Sequence, residues 1–322
     1  MVSSLNLPYL PVNAFSVSLR LCASAFNMNS RLNIDGVLLL DKPAGWTSNA
    51  ALQKAKRLFN AAKAGHTGTL DPFASGLLPI CFGQATKFSG YALHGDKAYR
   101  AVLKLGTTTA TGDLEGEVLE TRPVAVTLDA VLQLLPKFTG TRLQTPPMYS
   151  ALKHRGRPLY EYARAGIEIE RKPREITIYQ LSAEKLEGDE LTIRVRCSGG
   201  TYIRTLAEDI GQALGCGAHL IALQRTASGA FSLDQAVSLE ALENLGQDQR
   251  LSTLLPPDTL VAHLPRLDID AETAKQLAQG KQPERPAICA IQGKIRVYAP
   301  QGFLGLVEAG GKLVASRLMA TA

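Results

Sequence analysis

The sequence has few of the features that mark metal, redox or membrane proteins. Its five cysteines are an odd number, no two form a Cys-x-x-Cys pair, and no histidine stands at metal-ligand spacing from them. This pattern argues against a structural zinc site and a disulfide framework, and it predicts a reducing compartment. No run approaches the ~18–20 apolar residues that a membrane-spanning helix needs. The GxxxxGK[ST] and strand-GxGxxG patterns of nucleotide-binding loops are also missing, so no such cofactor is indicated.

The first residues lack the anatomy of a targeting signal. Residues 1–27 contain one arginine and no acid, but Pro8, Pro11 and Asn13 interrupt any continuous apolar segment. Met28 then stands just before the first predicted strand. We therefore expect residues 1–30 to be an N-terminal extension that is either disordered or the result of a start codon assigned too early.

Positive charge is in excess along the chain. Lysine and arginine number 35 against 29 acids, which gives a net charge of +6 and a sequence pI of about 9.0. Such a balance favours a polyanionic partner, and nucleic acid more than a membrane surface. The length of 322 residues favours about two domains.

Hydrophobic patterns indicate a mixed α/β domain. Residues 36–40 (GVLLL) read as a buried strand, and Thr47 and Ser48 offer N-caps for a helix to about Phe59. Residues 99–105 and 191–197 alternate as half-buried strands should, with Leu191, Ile193, Val195 and Cys197 facing inward and Thr192 outward. A helix at about 202–214 follows, and Gly215 suits its C-terminal end.

A loop between these elements carries a prominent carboxylate. Residues 65–80 read GHTGTLDPFASGLLPI, and their glycines and prolines predict no regular element. Asp71 precedes Pro72, which favours an extended backbone at the aspartate. A partly buried carboxylate needs cationic or hydrogen-bonding partners to stay ionised, and Arg204 and His66 are candidates. The alternative is that Asp71 only begins an Asp-Pro turn.

Two further segments differ in composition from the rest. Residues 142–174 are turn-rich and basic, and their tyrosines stand among cations: Arg142, Lys153, Arg155, Arg157, Arg164, Arg171, Lys172 and Arg174. Cations mixed with aromatic rings suit phosphate contact and base stacking, although a solvated surface would have the same composition. After Pro256 and Pro257 come a predicted helix at 271–279 and short strands at 288–291, 294–299, 303–308 and 312–318. A small β-rich C-terminal domain is the natural interpretation.

The motifs together resemble one enzyme family. GHTGTLDPFASGLLPI, preceded by GVLLLDKPAGWTSNAAL at 36–52, is similar to the signature of the TruB family of tRNA pseudouridine synthases. The resemblance continues in order through AYRAVLKLG (98–106), PPMYSALKHRGRPLYEYARAG (146–166), CSGGTYIRTLAEDIG (197–211) and GAHLIALQRTASGAF (217–231). It covers roughly residues 34–235.

The resemblance implies a fold and an activity. The expected fold is α/β (α+β), a pseudouridine-synthase fold with a mixed, mainly antiparallel sheet flanked by helices. The catalytic domain would span 34–250 with an RNA-clamping insertion at 142–174, followed by a small β-rich PUA-like RNA-binding domain at 258–322. The implied enzyme is a monomeric, cytoplasmic isomerase without cofactor or metal, which flips the T-loop uridine out of the tRNA T-arm and rejoins its base through carbon.

The same resemblance implies roles for individual residues. Asp71 would be the catalytic aspartate, and Arg204 would pair with it. Tyr202 would be the second catalytic side chain, near C5 of the base, where a proton must leave. Tyr99 would pack against the flipped uracil. Leu223 would contact the base, and His66 would contact the RNA or brace the loop.

Two other functions stay open at this point. The first is a non-catalytic tRNA-folding factor that uses the same RNA-binding surface. The second is an unrelated hydrolase with a Cys-His pair, such as Cys81 with His66 or His94. Neither a helix start nor an orienting acid near Cys81 supports an activated thiol.

Overall fold

A computed structural model describes residues 31–284 and 291–319. The extension predicted at 1–30 and most of the strand predicted at 288–291 lie outside the described residues. The helices in the described ranges are α1 (Ser48–Leu58), α2 (Ser89–Leu93), α3 (Leu128–Leu134), α4 (Leu159–Arg164), α5 (Ile203–Ala213), α6 (Leu239–Asn244), α7 (Gln247–Ser252) and α8 (Ala271–Ala278).

Most strands belong to one large sheet. The first nine are β1 (Gly36–Lys42), β2 (Ala64–His66), β3 (Ser75–Phe82), β4 (Lys97–Leu105), β5 (Thr107–Thr109), β6 (Val118–Thr121), β7 (Gly140–Gln144), β8 (Lys153–His154) and β9 (Arg157–Pro158). The others are β10 (Arg174–Glu187), β11 (Glu190–Cys197), β12 (Ala218–Ser228), β13 (Phe231–Ser232), β14 (Val237–Ser238), β15 (Arg266–Asp268), β16 (Gly293–Ala299), β17 (Gly302–Ala309) and β18 (Leu313–Leu318).

The large sheet has the strand order β14-β1-β3-β12-β4-β11-β10-β7, with β2 added to β3 and β13 to β12. Only the pairs β1 with β14 and β3 with β12 are parallel. Helices α3 and α5 contribute Val131 and Leu206 to a core shared with β4 and β11. The expected mixed, mainly antiparallel sheet flanked by helices is therefore confirmed.

The prediction of no regular element at 65–80 was wrong, because β2 and β3 together occupy half of that segment. The residues of β3 from Gly76 onward are buried between β1 and β12, so tertiary pairing outweighs the local glycine and proline signals. Gly76 has φ +98°, and a Cβ there would stand 2.4 Å from the carbonyl oxygen of Arg225. Pro79 is tolerated because β12 pairs with β3 only at Ser75 and Gly76, away from the proline.

The helix predicted after Thr47 is confirmed as α1. The Thr47 side chain accepts a hydrogen bond from the amide of Ala50, which satisfies one of the free donors of the first turn. Ala51, Ala55 and the C-terminal Phe59 pack on β1 and β3. Burying one large apolar side chain is worth about 1.5–3 kcal/mol, so this face anchors the helix.

Strand alternation was predicted correctly in β4 and largely in β11. Leu103 and Leu105 of β4 are buried, as are the four residues of β11 expected to face inward. Thr192 was expected to face solvent, but it is buried as well. Its short side chain lies in the sheet interior between the longer Val102 and Lys185, its Cα partners on the two neighbouring strands.

A separate small sheet follows near the C-terminus, in the order β15-β16-β17-β18. The chain reaches it by first returning to the large sheet, where Val37 and Leu255 exchange two backbone hydrogen bonds. Leu260 and Leu306 share one core with Val37, so this core includes residues of both sheets. The exact domain limits stay a prediction. Among the described residues no helix is long and apolar enough to cross a membrane.

Candidate active site

The Asp71 loop, residues 67–74 between β2 and β3, is held by hydrogen bonds to its backbone. The Ser48 hydroxyl donates to the carbonyl of Leu70 (2.9 Å) and accepts from the amide of the same residue (2.8 Å). The Gly45 amide donates to the carbonyl of Pro72 (2.8 Å). Buried backbone groups that are satisfied in this way fix the loop at the residues on both sides of Asp71.

The carboxylate of Asp71 meets a buried arginine. Nε of Arg204 lies 3.0 Å from Oδ2 of Asp71, and the arginine side chain is only 6% exposed against 35% for the aspartate. The guanidinium also donates to the carbonyls of Thr111 (3.0 Å) and Tyr149 (2.7 Å). Because the arginine is fixed at several points, it also fixes the orientation of the partly buried carboxylate.

A second acid, Asp113, completes this arrangement. Its Oδ2 lies 3.4 Å from Nη1 of Arg204, and its side chain is 4% exposed. The other oxygen accepts hydrogen bonds from the Thr111 hydroxyl (2.5 Å) and the Glu115 amide (3.0 Å). Arg204 thus contacts two carboxylates, of which Asp113 is the buried one and Asp71 the accessible one.

Burial and three neighbouring charged groups shift the pKa of Asp71. Burial raises the pKa of Asp71 above its ordinary value, while the Arg204 guanidinium lowers it. The charge of Asp113 raises the same pKa and that of Lys42 lowers it. The carboxylate is therefore less strongly acidic than a surface aspartate and lies in a low-dielectric environment.

Lys42 is the second cation beneath the loop. Its side chain is fully buried, and Nζ donates to the carbonyls of Pro43 (2.9 Å), Trp46 (2.6 Å) and Pro72 (3.4 Å). Burial lowers the pKa of Lys42 to about 8, although the charge of Asp71 raises it in part. The lysine links the turn after β1 to the residue that follows Asp71.

The two tyrosines singled out from sequence both lie near Asp71. Tyr99 is half-buried on β4, and burial raises its pKa, with a smaller contribution in the same direction from the Asp71 charge. Tyr202 stands immediately before α5, where its amide donates to Oε1 of Gln144 (2.8 Å). Burial raises the pKa of Tyr202, and Asp71 again adds to the effect. Both phenols are therefore protonated at neutral pH.

Leu223 lies on β12 opposite Ala101 of β4 and lines a cavity of about 570 Å³. Phe73 and Glu115 line the same cavity, which places it beside the Asp71 loop. His66 is half-buried on β2, and its Nδ1 accepts a hydrogen bond from the Gly68 amide (3.4 Å). Among the described residues no hydrogen bond or ion pair joins His66 to Asp71, so the carboxylate partner is Arg204.

The Cys-His alternative does not agree with the structure. Cys81 is fully buried in β3, and burial raises its pKa to about 12. A thiol in that environment is protonated and inaccessible, which is the opposite of an activated nucleophile. In the described part of the chain, no group of three or more His, Cys, Asp or Glu side chains is placed to hold a metal ion.

The basic segment 142–174 contains paired and unpaired cations. Arg157 bonds Glu161 (2.7 Å) and stacks on Tyr162, and Arg171 lies 3.0 Å from Glu168. Among the described residues, the side chains of five exposed cations of the segment make neither a hydrogen bond nor an ion pair: Lys153, Arg155, Arg164, Lys172 and Arg174. Arg155 has φ +50° beside Gly156 at the turn between β8 and β9, which places it at the tip of a hairpin.

Asp113, Lys42 and Gln144 also belong to this site, and none of them was predicted from the sequence. Asp113 follows a Thr-Gly pair in the turn of the hairpin β5-β6, and this turn chemistry was its only local signal. Lys42 lies in the quoted Asp-Lys-Pro motif, but its burial follows from the packing of the loop on β1. Gln144 is within the basic segment and gives no sign in sequence that it binds the backbone of Tyr202.

Comparisons with known proteins agree with this geometry. Residues 56–203 match the model of the TruB family pseudouridylate synthase N-terminal domain, and residues 204–262 match that of the tRNA pseudouridylate synthase B C-terminal domain. A tRNA pseudouridine synthase B of Thiobacillus denitrificans is 58% identical over 91% of this chain and 98% of its own length. The protein of the same name in Aromatoleum aromaticum is 55% identical over 91% and 95%.

Solved structures show the same fold. A Cbf5-Nop10-Gar1 complex contains a chain with a TM-score of 0.68 and 28% identity, covering 88% of this chain and 84% of that one. An H/ACA RNP bound to a substrate RNA containing 2′-deoxyuridine gives a TM-score of 0.68 at 25% identity, with 89% and 85% covered. The resemblance noted in the sequence is thereby confirmed. The chain belongs to the TruB family of pseudouridylate synthases.

Proposed function

We propose that this chain is a tRNA pseudouridine synthase that isomerises uridine-55, in the T-loop of tRNA, to pseudouridine. The observation that carries the proposal is the accessible Asp71 carboxylate held by buried Arg204 at 3.0 Å. The relatives named tRNA pseudouridine synthase B support tRNA as the substrate.

Asp71 is the catalytic carboxylate of this proposal. The reaction breaks the bond between C1′ of the ribose and N1 of the uracil, turns the base, and joins C1′ to C5. Asp71 acts by attack on the sugar, by addition to the uracil ring or by removal of the C2′ proton. Each route needs an ionised, oriented carboxylate, which the contact with Arg204 provides.

The target base has to leave the T-loop stack before Asp71 can reach its sugar. Tyr99 presents a flat ring against which the flipped uracil packs, and Leu223 covers the base from β12. The cavity of about 570 Å³ beside the Asp71 loop provides space for the extruded nucleotide and its neighbours. His66, half-buried at the mouth of the loop, braces the loop against the RNA.

Tyr202 serves the last step. After C1′ has joined C5, the proton on C5 must leave before the ring regains its conjugation. Tyr202 stands before α5 with its backbone fixed by Gln144 on both the amide and the carbonyl (2.8 and 3.0 Å). A fixed backbone with a protonated phenol suits positioning of the base and relay of that proton.

Residues 142–174 and the C-terminal sheet provide the RNA-binding surface. The unpaired cations of the insertion contact phosphates of the T-arm, and its tyrosines stack on unpaired bases. The small sheet from 266 to 318 acts as a PUA-like RNA-binding unit. We propose further that the enzyme works as a monomer in the cytoplasm.

One assay tests this function. Purified protein is incubated with an unmodified tRNA transcript, and pseudouridine is mapped by position. Asp71→Asn should bind the transcript with the affinity of the wild type and form no product, whereas Asp129→Asn, an exposed aspartate of α3, should be fully active. Product at another position would change the substrate. Binding and refolding of tRNA without product by the wild type would identify a folding factor instead.

A further inference from the structure

Arg225 on β12 is a buried arginine without a carboxylate partner. It is 1% exposed and is among the largest fully buried side chains of the described chain. Across residues 31–284 and 291–319 it forms no ion pair with an acid. A buried guanidinium normally requires a counter-ion, because the loss of its hydration is costly. An uncompensated charge at this position therefore calls for a functional explanation.

The guanidinium instead binds the backbone at both ends of the Asp71 loop. Nε donates to the carbonyl of Leu77 (2.7 Å), and Nη2 donates to that of Gly68 (3.2 Å). Through these bonds Arg225 spans the segment that carries Asp71. The loop is thus held by Arg225 at its ends, while Arg204 holds the carboxylate itself.

Strand register also places Arg225 next to Tyr99, the residue against which we propose that the uracil packs. The Cα partner of Arg225 across β4 is Tyr99, and its partner across β3 is Gly76. Burial raises the pKa of Tyr99, and the positive charge of Arg225 lowers it. The buried arginine therefore lies on the strand beside the tyrosine that we assign to stacking on the uracil.

The charge of Arg225 also shifts the pKa values of other groups of the site. Burial lowers the pKa of His66, and Arg225 lowers it further. Burial likewise lowers the pKa of Lys42, and Arg225 contributes in the same direction. A positive potential thus extends from Arg225 through the interior of the site.

The proposed reaction places negative charge on the base. When C1′–N1 breaks, the electron pair stays on the uracil and is delocalised over its ring and carbonyl oxygens. When Asp71 instead adds to the ring, the ring becomes an enolate. The uracil therefore gains negative charge in all three routes, while the sugar in the two cleavage routes becomes electron-poor beside Asp71. A fixed positive charge on the base side would stabilise this separation without reorganisation.

We infer that Arg225 is a positioning residue whose unpaired charge stabilises the anionic uracil, while its backbone contacts hold the Asp71 loop. The inference rests on the proposed pseudouridine synthase activity. Arg225 acts through Tyr99 and the electrostatic potential of the site, not by contact with the reacting atoms.

Variants of matched size separate charge from packing. Arg225→Gln removes the charge, and Arg225→Lys keeps it while it loses the forked geometry. Arg250→Gln is the control, because Arg250 also donates to three backbone carbonyls, those of Leu242, Leu58 and Glu243, but lies away from the site. In single-turnover assays at saturating enzyme we expect a rate loss on the order of 100-fold for Arg225→Gln. We expect about tenfold or less for Arg225→Lys, and full activity for folded Arg250→Gln.

A better leaving group should relieve the defect. A tRNA with 5-fluorouridine at the target position carries a base that bears negative charge more easily. Digestion and mass spectrometry measure how fast each nucleoside is consumed. Arg225→Gln should therefore slow the consumption of 5-fluorouridine about tenfold less than it slows the consumption of uridine. Equal slowing on both substrates would overturn the inference, as would an equally large loss in Arg225→Lys with unchanged tRNA affinity.

A third measurement, the pKa of His66, does not depend on catalytic turnover. In histidine-labelled protein, the NMR titration of His66 should shift to higher pH in Arg225→Gln and stay in place in Arg225→Lys. An unmoved His66 titration in folded Arg225→Gln would contradict the potential that we assign. If Arg225→Gln does not fold, the single-turnover rate of Arg225→Lys tests the inference. A loss of about tenfold or less supports it, and a loss on the order of 100-fold overturns it. A wild type without product on uridine would refute the proposed function, whereas the His66 result would still report on Arg225.

Discussion

Oδ2 of Asp71 and Nε of Arg204 lie 3.0 Å apart, although the first belongs to the loop before β3 and the second to the start of α5. The pair joins two segments separated by more than a hundred residues, and Arg204 is the buried member. An arginine with three further acceptors cannot follow the carboxylate if the loop moves. The geometry of Asp71 is therefore determined by α5 and the hairpin β5-β6.

We expect Asp71→Asn to stabilise the protein while it abolishes activity. Burial outweighs Arg204 and raises the pKa of Asp71, so the ionised side chain is less favourable in the folded than in the unfolded state. Between the pKa of the unfolded state and the higher pKa of the folded state, the folded state binds more protons, so stability falls as pH rises through this window. At pH 7 the neutral asparagine avoids that cost.

Thermal unfolding at several pH values measures this effect. The Tm of Asp71→Asn should exceed that of the wild type at pH 7, and the difference should shrink as the pH approaches about 4, near the ordinary aspartate value. A lower Tm at pH 7 would mean that the ion pair with Arg204 stabilises the fold more than burial of the carboxylate destabilises it.

Asp113→Asn should reduce turnover without weakening tRNA binding. The asparagine keeps the shape but removes the buried charge that faces Nη1 of Arg204, so the arginine loses one of the contacts that fix it and orients the Asp71 carboxylate less well. We expect a single-turnover rate lower by about 10–100-fold, comparable to the loss of one oriented charged contact. Asp209→Asn on α5 is the matched control, since its carboxylate lies 3.7 Å from Arg142 and not near Arg204. A larger change in affinity than in rate would count against this assignment.

Asp113 also illustrates what the sequence could and could not provide. Strands β4 and β11 and helices α1 and α5 were predictable because their apolar residues repeat with the period of the element. Asp71 and Arg204 were found through motifs, whose joint order is specific. Asp113 and Arg225 make sense only after β5-β6 and β12 have been placed beside the loop. A contact between residues that are far apart in the chain produces no periodic pattern, so it cannot be predicted from one sequence.

The error at β3 has the same origin. Glycine and proline between 65 and 80 predict turns when each residue is considered with its neighbours alone. Gly76 is instead required by the approach of β12, where any Cβ would meet the carbonyl of Arg225. The glycine thus marks a close contact between strands that only the assembled sheet shows.

Tyr99→Phe should be mild and Tyr99→Ala severe. Phenylalanine retains the ring for stacking and loses only the hydroxyl, so we expect a rate within about tenfold of the wild type. Alanine removes the platform, and base–aromatic stacking is worth about 1–3 kcal/mol, which corresponds to a loss of up to ~100-fold. Equal rates for the two variants, measured in single turnover with circular dichroism as the folding control, would argue against stacking.

Lys42 should impose an upper pH limit on turnover. Burial lowers its pKa to about 8, so above that pH Nζ loses its charge and one of the donors that hold Pro43, Trp46 and Pro72. We expect the single-turnover rate to fall above pH 8, and this pH dependence to disappear in Lys42→Met, whose overall rate is lower. Lys97→Met is the control, because Lys97 has a similarly lowered pKa, also about 8, but bonds carbonyls near α2. A pH dependence that disappears in Lys97→Met instead would reassign it to Lys97.

The salt dependence of tRNA binding should follow the unpaired cations of segment 142–174. Each phosphate contact by a lysine or arginine contributes roughly 0.7–0.9 to the slope of log K against log salt concentration. Changing Lys153, Arg155 and Lys172 together to glutamine should therefore lower that slope by about 2. Arg157→Gln should leave it nearly unchanged, because Arg157 is already engaged with Glu161 and Tyr162. Equilibrium binding of the transcript at several salt concentrations provides the slopes, and an unchanged slope in the triple variant would exclude phosphate contact by these residues. Since the triple change leaves Asp71 and Arg204 intact, the rate at saturating enzyme should stay that of the wild type.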